Sequence, residues 1–194
     1  MNMAKKIAGW LCRSGAIRED EEELYIFAIC NTFLTLVPLV SVLLIAYMMD
    51  SLPEGLALVI PFLTIRKFSG GFHFDSAVKC MITSILLLVM LLIISLKITL
   101  LPVFDAGILL AGISVSVNSP IDSEARRLDD EEIRRFKRTA GIISLVFILI
   151  YLMMRILSAI LNMPVLIRIE RCLSSGMMLA AILQFPVLIR RRRP

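Results

Sequence analysis

The sequence predicts an all-α, polytopic membrane bundle of about six transmembrane helices, preceded by an amphipathic helix at the membrane surface. Three observations carry that prediction. Of the 194 residues 58% are hydrophobic and the mean hydropathy is +0.87, against roughly 45–50% apolar residues in a soluble domain. The apolar residues are gathered in long uncharged runs, as segments that cross a bilayer require. Finally, 17 of the 21 Lys and Arg residues fall in four clusters, which six crossings would bring to one side.

Residues 1–23 form the amphipathic N-terminal segment. Ile7, Trp10, Leu11 and Ser14 recur at i, i+3, i+4 and i+7, with Lys5, Lys6 and Arg13 off that stripe. Such a basic helix suits an anionic membrane surface; a terminal helix packed on the bundle is the plainer alternative. Too few apolar residues follow Lys5-Lys6 for a cleavable signal peptide. The acidic run Glu19–Glu23 opens the first long helix, where carboxylates favour the N-terminus.

Tyr25–Met49 carries no charge over 25 residues, enough to span with tilt. Its Asn31, Thr32, Thr35 and Pro38 could line a cavity, though such groups more often bond within a bundle. Leu52–Ile65 is short and bracketed by Pro53 and Pro61, so it reads as either a tilted short helix or a re-entrant one. Met81–Leu96, Ile98–Val117 (with Pro102 and Asp105), Thr139–Met154 and Cys172–Ile189 complete the six. A wetter stretch holding Arg155, Pro164, Arg168, Glu170 and Arg171 separates the last two. Asp105 either pairs with a base or faces water, and no catalytic role is assigned to it.

The four basic clusters lie in the N-terminal segment, at 66–79, in the 118–138 loop and at Arg190–Arg193. The positive-inside rule then places both termini and the 66–80 island in the cytoplasm of a multi-pass protein of the cell membrane. The arginine tail reads as a topology anchor, with no nucleic-acid partner. The loop 118–138 is charge-laced, with four-apart pairs such as Asp130–Arg134 and Glu131–Arg135. It is either a solvated helix start or a docking surface for an acidic or amphipathic partner. No linker or internal repeat divides the chain, so 1–194 reads as one membrane domain.

Cys12, Cys30, Cys80 and Cys172 are dispersed, with no CxxC and a single histidine, His73. That argues against zinc and implies no cofactor. Disulfides are not expected for cysteines facing a reducing cytoplasm. Cys30 and Cys172, inside apolar runs, read as small hydrophobes.

The island Arg66–Cys80, RKFSGGFHFDSAVKC, carries the chemistry. A thiol and an imidazole must come within hydrogen-bond reach to act together. On one helix His73 and Cys80 would stand about 10 Å apart along the axis, too far for proton transfer. Asp75 or Ser76 is a suitable N-cap, however. A helix starting there leaves His73 in a loop free to fold back. It also puts Cys80 near the first turn, where the helix dipole favours an anion. Gly70-Gly71 permits a positive φ and a close backbone approach, useful for a turn or for exposing N–H donors to an oxyanion. Arg66 suits a substrate carboxylate or a lipid phosphate, or simply anchors a helix end. On these residues alone, catalysis and a polar connecting loop both stay open.

The string R-x-x-S-G-G-F-H-x-x-x-x-x-x-C, formed by Arg66, Ser69, Gly70, Gly71, Phe72, His73 and Cys80, resembles the signature of the accessory gene regulator B (AgrB) family. These are membrane peptidases that process quorum-sensing peptide precursors. The segment from Ser119, SPIDSEARRLDDEEIRRFKR, is similar to that family's cytoplasmic loop. It departs from it at Ala125–Leu128, where the family often shows an Asn-Lys-Pro-Leu-like stretch. The likeness extends over nearly the whole chain.

The resemblance implies that Cys80 is the nucleophile and His73 its general base. They would cut an AgrD-like precursor before its acidic C-terminal tail and leave an acyl-enzyme thioester. A precursor thiol or hydroxyl would then close a thiolactone or lactone. It also marks Arg66 and Gly71 as functionally important; Gly70, by its backbone freedom, and Ser76, as a cap, are supporting residues on the residue chemistry above. A homodimer is the expected assembly, since small polar-lined bundles often pair. The rival from another class is a non-catalytic transporter or exporter of a small peptide, motivated by Asn31, Pro38, Asp105 and the broken spans.

Overall fold

The computed structural model describes residues 2–70, 76–121 and 129–191, which form helices and connecting turns with no strand among them. Helix α1 (Asn2–Arg13) is followed by a 3₁₀ turn (Glu19–Glu21) and by α2 (Glu22–Met48), α3 (Leu52–Ser69) and α4 (Ala77–Lys97). Then come α5 (Leu101–Asn118), α6 (Asp130–Leu161), α7 (Pro164–Ile182) and the short α8 (Phe185–Arg191). The chain is an all-α membrane bundle.

Local chemistry explains the helix boundaries. Prolines sit in the first turns of α3, α5 and α7, where the missing N–H costs no helical bond. Asp129 caps α6 by accepting the Glu132 N–H at 2.7 Å. Asn162, left-handed at φ 51°, ends the same helix. Helix α1 turns Ala4 and Ala8, one turn apart, against the protein and leaves Met3 and Trp10 outside. Small side chains thus dock this helix, while Ile7 and Leu11 are half-buried.

Helix α7 is the centre of the bundle. Every residue from Glu170 to Met177 is buried, as expected of a helix surrounded on all sides. Its Ser174-Ser175-Gly176 step lets backbones approach closely, the usual device of helix packing in lipid. A Cβ on Gly176 would run into the Leu58 carbonyl oxygen and the Pro61 ring of α3. Gly176→Ala should therefore destabilise the protein by about 1–3 kcal/mol. At Gly141 an added Cβ meets only ordinary contact at 3.8 Å, so Gly141→Ala should stabilise α6 by about 0.5–1 kcal/mol. Thermal unfolding in detergent checks both, and equal shifts would contradict the close α3–α7 crossing.

Among the described residues five helices, α2, α4, α5, α6 and α7, are long and apolar enough to cross a membrane. Helix α3 falls short by composition because it holds Glu54, Arg66 and Lys67. It nevertheless runs the full depth of the bundle, its 18 residues covering about 27 Å. At one end Glu54 accepts from Arg168 Nε of α7 at 2.8 Å. At the other, the Ser69 carbonyl accepts from Ile121 N–H at 2.8 Å, and Phe68 meets Phe136 of α6 edge-on at 5.7 Å. Where the sequence suggests a tilted short helix or a re-entrant one, the structure has one continuous helix, Leu52–Ser69.

The stretch that reads as wet, Arg155–Arg171, is not a loop. Helices α6 and α7 run through it, joined by Asn162-Met163, and their charges pair inward. The Glu170 carboxylate accepts from Ser158 Oγ at 3.1 Å and lies 3.7 Å from Arg155. Asp105 pairs with Arg155 at 3.5 Å and accepts from Tyr151 Oη, while Arg171 donates to the Ile98 carbonyl. Ionisable groups paired in this way are tolerated at membrane depth. Together with Glu54–Arg168 they form a polar belt at the end of the bundle opposite Ser69 and Ile121.

Candidate active site

Helix α4 starts at Ala77 with Ser76 as its N-cap. Ser76 has the extended backbone of a cap residue, but its side chain makes no capping bond. The Cys80 N–H donates to the Ser76 carbonyl at 2.9 Å, which completes the first turn. The N–H groups of Ala77, Val78 and Lys79 precede that bond and have no helical acceptor. Cys80 is half-buried and stands beside this positive helix end.

Arg66 reaches the same place from the last turn of α3. It lines the same walls as Cys80. Both side chains line a cavity of about 570 Å³ between α2, α3 and α4. Both also line a recess of about 40 Å³ on the α7 side, closed by Leu179 and Leu183. Cys80 and Arg66 therefore stand on the partition between the two spaces.

The larger cavity lies along the part of α2 that runs up to Pro38. All the buried residues of α2 (Pro38, Leu39, Val42 and Ala46) lie from this proline onward, and the half before it is exposed or half-buried throughout. A proline in a helix has no N–H for the carbonyl four residues earlier, here Leu34, and favours a bend. The first half of α2 leaves a face uncovered, and its stripe Asn31, Leu34, Thr35, Pro38 and Leu39 lines the cavity. The Thr35 hydroxyl turns back onto the Asn31 carbonyl at 3.0 Å, as hydroxyls in helices commonly do.

Beyond Arg66 the end of α3 is strapped down. Gly70 has φ +68°, and a Cβ there would meet the Ile121 carbonyl oxygen, so this close approach needs glycine. Its N–H donates to the Arg66 carbonyl at 3.2 Å. Gln184 Nε2, just past α7, donates to Ser119 Oγ at 3.0 Å and ties the same strap to the central helix. Gly71 and His73, along with Phe72, lie outside the described residues. The structure thus brings together Arg66, Gly70, Ser76 and Cys80 of the residues singled out by sequence.

Sequence reasoning missed Ser84 and Lys67, both on the wall of the larger cavity. Ser84 carried a signal: it follows Cys80 by one helical turn, on the same face of α4. On α2, Asn31, Thr35 and Pro38 were legible as residues that could line a cavity, and Leu34 carried a signal in the i, i+3, i+4, i+7 spacing it shares with them. Among the described residues no group of three or more His, Cys, Asp or Glu side chains could hold a metal.

The Accessory gene regulator B (AgrB) family model matches residues 4–185. No curated protein and no solved structure matches the chain. The match takes in α1, the Cys80 island, the strap after α5 and the central helix together. On that ground the chain belongs to the accessory gene regulator B family, whose members take part in processing accessory gene regulator peptides.

Proposed function

We propose that this protein is a cysteine endopeptidase of the cell membrane that cuts an acidic-tailed peptide precursor and lets the retained part close into a ring. The observation that carries the reading is Cys80, in the first turn of α4, opening with Arg66 onto a cavity between three helices. In the reaction the Cys80 sulfur attacks the carbonyl carbon before the tail. The carbon–nitrogen bond breaks, a thioester forms, and His73 passes the thiol proton to the departing amine. Arg66 and Lys67 offer their charges to the acidic tail. The free N–H groups at the start of α4 suit the oxyanion.

A thiol or hydroxyl of the retained segment then displaces Cys80. It gives up its proton, the Cys80 thiol is restored, and a thiolactone or lactone is released. No water is consumed, so the outcome depends on keeping water from the thioester. The cavity's largely apolar wall favours that, as does holding the attacking group close. By the charge distribution, this end of the bundle and both termini face the cytoplasm.

The test is mass spectrometry of a short acidic-tailed precursor peptide after it is co-expressed with this chain. A tail-less product one water lighter than the linear cleavage product is expected. A linear product alone would remove the cyclisation half of the proposal. An intact precursor beside folded, membrane-inserted protein would remove the proposal as a whole.

A further inference from the structure

We propose that the precursor segment held as the Cys80 acyl group lies in the α2 side of the cavity, against Asn31, Leu34 and Thr35, and that this stripe selects the precursor. The inference rests on the peptidase reading above and names the part of the site that recognises the retained segment. The thiol is on the partition between two spaces, and only one has room for a peptide. The recess toward α7 holds about 40 Å³. The α2 side holds about 570 Å³, in the range of roughly 300–1,000 Å³ that receives small ligands. That admits a short acylated segment and excludes a folded leader.

The walls divide the substrate by chemistry. Arg66 and Lys67 bring the positive charge of the cavity wall and fit the acidic tail that departs. Across from them α2 offers Leu34 and Leu39 to apolar side chains. Among the described residues the Asn31 carboxamide has no hydrogen-bond partner, and it can both donate and accept. One turn further, Pro38 leaves the Leu34 carbonyl without its helical N–H. An extended or turning peptide backbone needs both kinds of partner at such a wall. Helix α2 can vary at Asn31, Leu34 and Thr35 without disturbing Cys80, because these three lie before the buried half that holds the helix in place.

The test compares two tryptophans on the same helix in the full-length protein in lipid nanodiscs. Leu34→Trp fills the cavity. Leu36→Trp changes a side chain that is 51% exposed on another face. Acyl-enzyme formation at Cys80 is followed by intact-protein mass spectrometry. Binding of the synthetic acidic-tailed precursor is followed in the Cys80→Ala background, where acylation cannot occur. Leu34→Trp should slow acylation and weaken binding by at least about tenfold, as overpacking a filled site does, with Leu36→Trp unchanged in both. Asn31→Ala, a milder change, should weaken binding less and alter which precursor sequences are accepted.

If wild type acylates and Leu34→Trp matches Leu36→Trp, the pocket is overturned and the peptidase reading stands. If no thioester forms at Cys80 but Leu34→Trp still weakens precursor binding, the pocket stands and the chemistry falls. Absence of both binding and acylation in wild type overturns the two together.

Discussion

Replacing Cys80 with alanine is expected to abolish tail removal, by at least about 10⁴-fold, the scale on which losing a covalent nucleophile acts. The protein should remain folded in the membrane. Cys80 is half-buried on a cavity wall, so truncating it enlarges an existing space without opening a new void in the core. Cys80→Ser keeps the shape and changes only the nucleophile; it should lose activity almost as completely. His73→Ala should cost about 10²–10⁴-fold, the range for a general base. The readout is the mass of the co-expressed precursor. Retained processing in Cys80→Ala would sink the peptidase reading, and a transporter would tolerate all three changes. Activity lost with Cys80 but kept in His73→Ala would leave the nucleophile in place and require another base.

Arg168→Ala is expected to destabilise the bundle by about 3–5 kcal/mol, the cost of leaving a buried charge without its partner. Glu54 is 1% exposed and takes the Arg168 Nε–H at 2.8 Å, while Arg168 itself is 40% exposed. Losing the arginine strands the carboxylate inside the protein, where water cannot reach it. Because Arg168 is partly open, the lower end of the range is the better expectation. Replacing both partners by leucine should recover most of the loss, since well-packed apolar pairs substitute for buried ion pairs. Unfolding in detergent micelles would show a large drop for the single variant and a small one for the double. A small drop in both would mean that Glu54–Arg168 does not hold α3 to α7. Helix α3 carries Arg66 at its far end, so the single variant should also slow processing without removing any reacting atom.

The two predictions draw on parts of the molecule that differ in how far they could be read in advance. Helix existence was plain in the apolar runs, and a start for α4 at Asp75 or Ser76 was legible from the apolar run after them, although the Ser76 side chain makes no capping bond. Leu52–Ile65 was ambiguous because hydropathy counts Glu54, Arg66 and Lys67 against a span and cannot see that Glu54 is neutralised by Arg168, 114 positions away. Arg155–Arg171 looked wet for the same reason. Its charges are satisfied by Asp105, Ser158 and the Ile98 carbonyl, partners on two helices and in one loop. Asn31 and Thr35 could be read as either bundle bonds or cavity lining, since the space beside them depends on where α3 and α4 stand.

By itself the sequence determined the class, the helical segments, the cysteine and histidine available for chemistry, and the motif that resembles the AgrB family. Those properties are local: a run of apolar side chains, a cap, or a string of residues close in the chain expresses them without reference to anything distant. Only the tertiary structure decided that α3 traverses the bundle, that Arg66 stands beside Cys80, and that α2 leaves a cavity open there. These depend on pairings between segments far apart in sequence, where the cost of a buried charge or an uncovered helix face is set by the neighbour that meets it.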